Sequence, residues 1–214
     1  IGADEGALGV FYSVGQAGTT DRKTGAPTMT ISSGTATFSV AQTGNIGVGD
    51  VIDYDTDNKK LYIRSKVDAS NWKVVTNTGN TPSDIGTGVA VNSIKRVYSS
   101  LSSAESGAAT LLGTSDLKTN NYALNLPCYY DTGADTTAVT VEGYTTAISN
   151  PIKIYAPDNT AAETNLSQRH AGKWDDGKYR LEVSGGKAIS NSEFFVRVEG
   201  LQLYSDDDNA YYFV

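Results

Sequence analysis

Cysteine is almost missing from this chain: Cys128 is the only one among 214 residues. No disulfide can close within it, and no thiolate cluster can hold a metal. Cys128 lies in the apolar run 124–130, where a buried small hydrophobe is expected rather than a nucleophile. Histidine is as scarce, so a Ser-His-Asp or Cys-His mechanism would have to use His170 or not exist. The apolar stretches fall far short of the roughly 20 residues that a membrane-spanning helix needs. Basic clusters are absent as well, and 17 Lys and Arg against 24 Asp and Glu leave a formal net charge of −7. A nucleic-acid backbone would be repelled by that charge, and the acidity reads as a device for solubility. No GxGxxG, P-loop, HExxH or GxSxG pattern occurs, so nucleotide, metalloprotease and serine-hydrolase chemistry have no motif here. The first residue is Ile1 rather than Met, as expected of a cleaved leader or of trimmed ends.

What is present is β-forming. Thirteen tyrosines outnumber five phenylalanines, and Gly, Thr, Ser and Asn are plentiful between short apolar runs. Residues 1–11 form a Gly-rich lead-in, either a frayed terminus or a donor strand for another subunit through Val10 and Phe11. Residues 12–98 read as a small β domain, a barrel or a sandwich, with strands at regular spacing and polar turns. Within it, 28–31 and 35–40 alternate around Ser32-Ser33-Gly34 as a hairpin. Residues 99–113 predict one short helix, capped by Ser99 or Ser100, with Leu101, Ala104 and Ala108 at helical spacing and Gly107 as a weak point. Strands return over 114–214, and 195–203 alternate with Val196 and Val198 inward and a phase shift at Gly200.

The order of a helix followed by "YALNLPCYYD", "VTVEGYTT", "IKIYAP" and "FFVRVEGLQLYS" resembles the opening rungs of right-handed parallel β-helix proteins, the pectin-lyase-like group, over about residues 98–214. The resemblance implies an all-β chain: a small β-barrel or sandwich, a short capping helix, then β-helix-like solenoid strands. A solenoid rung cannot bury its apolar face alone, so the helix would cap the first coil. The family's enzymes place Asp with Arg or Lys on middle rungs, and no matching cluster can be carried over here. An open solenoid end, with the β-prone segment Tyr211, Tyr212, Phe213 and Val214, would dock head-to-tail onto another copy.

Three groups of residues carry candidate chemistry. Asp53, Asp55 and Asp57 open like a calcium loop, but Asn58 and Arg64 stand where such a loop needs Gly and an acid, so a hairpin turn is the competing reading. Asp206, Asp207 and Asp208 are a second calcium candidate or a solvated turn. Trp174 precedes Asp175 and Asp176 and follows Arg169 and His170; with Tyr179 and Tyr155 it is a candidate for stacking on glycans, or a plug under a long loop. Adjacent carboxylates on a strand point to opposite faces, which disfavours Asp175 and Asp176 as a catalytic pair. Asn165-Leu166-Ser167 matches an N-glycosylation acceptor.

The expected function is therefore a non-catalytic extracellular or cell-surface structural protein, a self-assembling filament or virion-fibre subunit. Its partners would be further copies of itself and polysaccharide, with calcium as the one possible ion. The alternatives are a glycan-binding or glycan-cleaving β-helix protein and a phage tail-spike segment.

Overall fold

The computed structural model describes residues 6–206. Strand β1 (Leu8–Phe11) is followed by six strands: β2 (Thr28–Ser32), β3 (Thr35–Phe38), β4 (Val51–Tyr54), β5 (Lys59–Lys66), β6 (Asn71–Val75) and β7 (Ile85–Lys95). Helix α1 (Leu101–Leu112) comes next, then β8 (Tyr122–Pro127), β9 (Val139–Val141), β10 (Ile152–Tyr155), β11 (Arg180–Val183), β12 (Ile189–Asn191), β13 (Val196–Glu199) and β14 (Gln202–Ser205).

Strands β2 to β7 close into an antiparallel barrel in the order β2-β3-β6-β5-β4-β7. The β2–β3 turn places Ser33 and Gly34 at φ 48° and 70°, the left-handed pair that matches strand twist in a two-residue hairpin. Register shifts in the β2–β7, β4–β7 and β5–β6 ladders add bulges to β7 and β5, which bend strands and let a short sheet close on itself. Inward residues at every second position, among them Met29, Ile31, Phe38, Ile52, Ile63, Trp72 and Ile94, fill the interior.

The other strands pair in parallel, in three separate sheets: β1-β8-β10-β13, β11-β14 and β12-β9. A second core lies between them and α1, built on Leu124, Leu126, Ile152, Ile154, Val139 and Leu181. The helix contributes Leu101, Ala104, Ala108 and Leu112 along one face. Ser100 caps it through a reciprocal bond with Ser103, and the Asp135 carboxylate accepts the Leu101 N–H at 2.6 Å, a favourable place for negative charge. No helix among the described residues is long and apolar enough to cross a membrane.

This architecture corrects the resemblance to parallel β-helix proteins. Among the described residues there is one closed six-stranded antiparallel barrel and a single short helix, and the remaining sheets are separate and unclosed rather than one continuous right-handed coil. Short strands with Gly and Asn turns look the same locally in either arrangement, because the pairing partner is set by residues far along the chain. The filament and virion-fibre reading rested on an open solenoid end, and it falls with the solenoid, as do the β-helix glycanase and tail-spike readings. Val10 is buried and pairs with Leu124, and Phe11 pairs with Asn125, so residues 8–11 form an edge strand of this chain's own sheet. Gly200, at φ 69°, ends β13 and turns the chain into another sheet at β14; Val198 shares the face of its buried register partner Ile154 but is 44% exposed, because β13 is the edge of its sheet. Asp207, Asp208, Tyr211, Tyr212, Phe213 and Val214 lie outside the described residues.

A buried charge network joins the barrel to the parallel sheets. Both terminal oxygens of Asp50 accept from Arg96 Nη1 at 2.8 Å, and Arg96 Nη2 reaches Asp131 at 3.0 Å. Asp131 also holds Arg22 at 2.6 Å. Burial alone would lower the Arg96 pKa, but the Asp50 and Asp131 charges outweigh it and hold the guanidinium above its ordinary value.

Candidate functional site

Strand β11 alternates strictly. Leu181 and Val183 enter the core, whereas Arg180 and Glu182 face outward. Its partner β14 follows the same phase, with Leu203 packed inward and Tyr204 outward at 47% exposure, directly beside Glu182 in register. The loop before β11 folds over the start of this face. Gln202 on β14 accepts the Asp175 N–H at 2.5 Å and donates to the Asp175 carbonyl at 2.9 Å, so the loop is pinned to the strand pair. Trp174 stands at its crest, 47% exposed, with its indole N–H donated to Asp176 at 2.9 Å.

Arg180 is the centre of charge on this face. It donates to Glu182 at 2.5 Å, lies 3.7 Å from the Asp176 carboxylate and hydrogen-bonds the Asp176 carbonyl. Its guanidinium sits 5.6 Å from the centre of the Tyr130 ring. Partial burial works against its charge, but the hydrogen bond and charge of Glu182 prevail and raise its pKa. The result is a strip of two exposed aromatic faces, a fixed guanidinium and two carboxylates. Such a strip can stack against the apolar faces of a ring and bond its hydroxyls from the side.

The three residues expected to stack on glycans do not come together. Trp174 is exposed and does not plug the core. Tyr179 is 2% exposed and donates to Asp135 at 3.2 Å, because it falls on the inward phase beside Arg180. Tyr155 is buried at 4% exposure, with the Lys153 ammonium 4.6 Å from its ring centre. Burial raises the pKa of both phenols. Tyr204, Tyr130 and Arg180 were missed. Strand phase was the available signal, since Tyr204 follows the inward Leu203. His170 accepts the Gly172 N–H at 3.1 Å and so shapes its own loop. Cys128 is fully buried, which pushes its thiol pKa up and away from nucleophilic use.

The calcium candidates are also dispersed. Asp53 accepts from Ser93 at 2.8 Å, Asp55 pairs with Lys59 at 2.9 Å within a turn, and Asp57 meets the same ammonium at 3.8 Å. Asp206 accepts the Gly185 N–H. Among the described residues no group of three or more His, Cys, Asp or Glu could hold a metal ion. No protein-family model matches the chain, and comparison with curated proteins and with solved structures returns no match.

Proposed function

We propose that this chain binds polysaccharide on the outer face of β11 and β14. The observation that supports this most is the pairing of two half-exposed rings, Trp174 and Tyr204, with an Arg180 fixed between Asp176 and Glu182. Aromatic side chains offer apolar ring faces beside polar groups, and sugar rings offer flat apolar faces edged by hydroxyls. The polar groups are held by hydrogen bonds of their own, which lowers the ordering cost of binding.

The test uses the two tryptophans as reporters. Trp72 is fully buried in the barrel, so a change in emission on adding a soluble polysaccharide reports on Trp174. A panel of neutral and acidic polysaccharides is titrated against the chain and against Trp174→Ala and Tyr204→Ala. A saturable change for one polysaccharide, weakened in both variants while their thermal midpoints hold, supports the reading. Unchanged emission and no retardation in affinity electrophoresis across the panel would sink it.

A further inference from the structure

The barrel carries a second polar feature, independent of the β11–β14 face. A cleft of about 250 Å³ opens on its outer wall, lined by Ser33, Gly34, Arg64, Ser65, Lys73 and Thr81 above Val74 and Val75. Two cations and three hydroxyls line it, and no carboxylate does. In a chain of net charge −7 this local balance is inverted.

The backbone explains why these groups converge. Ile63 pairs with Val74 and Ser65 with Lys73, so Arg64 is the extra residue of a bulge, and bulges re-aim the side chain they insert. Lys73 is placed from the other side, donating to Thr35 Oγ1 at 2.6 Å, its register partner on β3. The hairpin turn forms the rim. Asp84 accepts the Ser33 N–H at 2.7 Å and fixes it without lining the cleft. Gly34, at φ 70°, leaves the floor open, since a Cβ there would lie 3.3 Å from the Thr81 methyl and 3.5 Å from the Val74 carbonyl.

Several other cations among the described residues meet a carboxylate: Lys23 at Asp21, Arg22 at Asp131, Lys59 at Asp55, Arg96 at Asp50, Lys153 at Glu199 and Arg180 at Glu182. Among the described residues no carboxylate pairs with Arg64 or Lys73. We infer that this cleft binds an oxyanion group, the Arg64 fork taking two of its oxygens while Lys73 and the hydroxyls of Ser33, Ser65 and Thr81 take the rest. Arg is suited to this because its donors are planar and paired, and Lys supplies a point charge beside them.

Phosphate, sulfate and acetate are titrated separately against the isotopically labelled chain by NMR, with chloride at matched ionic strength as the control. The expected result is saturable shifts at the Gly34, Ser65 and Thr81 amides with at least one oxyanion, and the ranking of the three identifies a phosphate, sulfate or carboxylate group. Arg64→Gln is expected to weaken binding at least about tenfold, the scale of one charge-assisted hydrogen bond. Shifts of equal size with chloride, no shift with any of the three, or full binding by Arg64→Gln with an unchanged fold would each overturn the inference. Trp174→Ala leaves this site intact, so its outcome is separate from that of the polysaccharide face.

Discussion

Arg96 lies over the ring of Tyr129 with its guanidinium carbon 3.6 Å from the ring centre, while the same group donates from Nη1 to both oxygens of Asp50 and forks onto Asp131 through Nε and Nη2. The stack and these bonds together close the seam between barrel and parallel sheets, because Tyr129 belongs to the segment after β8 and Asp50 to the entry of β4. Tyr129 adds a bond of its own to the Val48 carbonyl at 2.8 Å.

Removing one partner of a fully buried pair strands the other charge. Arg96→Met is therefore expected to cost about 3–5 kcal/mol, more than Arg96→Lys, which keeps the charge but loses the fork. The double variant Arg96→Met with Asp50→Leu should recover part of that loss. Urea unfolding of the four proteins checks the order. A single variant at Arg96 that unfolds like the parent would show that the network adds nothing to stability.

The parts of this fold that were legible in sequence are those written in neighbouring residues. The Ser33-Gly34 hairpin and the Ser100-capped helix announce themselves through turn and cap chemistry. The seam was not legible, since no spacing in the sequence connects Asp50, Arg96 and Asp131. The pairing of β1 with β8 was hidden for the same reason, because a whole barrel intervenes between the two strands. In the candidate site Trp174 was readable as an aromatic beside acids. Grouping it with Tyr179 failed because one step along a strand exchanges inside for outside.

Phe195 holds φ at 53° in the turn between β12 and β13 while its ring is 48% exposed. A bulky side chain in the left-handed region costs about 1–2 kcal/mol, and glycine adopts it freely. Phe195→Gly removes that strain but gives up a half-buried ring and loosens the unfolded chain, so the net change in stability is expected to stay within about 1 kcal/mol. A larger loss on urea unfolding of this variant would show that the ring contributes more than the backbone strain removes.

Burial raises the phenol pKa of Tyr62 and Tyr144 to about 12, pushes those of Tyr12, Tyr98 and Tyr155 higher still, and holds those of Tyr129 and Tyr179 well above the ordinary value. A group whose folded pKa lies above its unfolded value favours the folded state fully below the unfolded pKa, about 10 for tyrosine. That contribution is lost as pH climbs from there through the folded values. The thermal midpoint should consequently fall above about pH 10, and tyrosinate absorbance from these residues should rise together with loss of near-ultraviolet circular dichroism. Their ionisation at the ordinary phenol pKa with the fold intact would contradict the burial described.

Gly107 sits in the middle of α1, where alanine would ordinarily gain about 1 kcal/mol in helix propensity. The structure reverses that expectation. A Cβ on Gly107 would lie 2.6 Å from the Tyr98 ring edge, and that ring is packed edge-on to Tyr12 at 6.4 Å between centres. The helix therefore approaches the barrel side of the core only because residue 107 has no side chain. Gly107→Ala is expected to destabilise by about 1–3 kcal/mol, the usual cost of overpacking, although it improves the isolated helix. In a Tyr98→Ala background the clash is gone and the same substitution should become neutral or stabilising. Thermal unfolding of the four proteins reads the coupling directly. An equal effect of Gly107→Ala in both backgrounds would mean that helix propensity, and not contact with Tyr98, governs the choice of glycine.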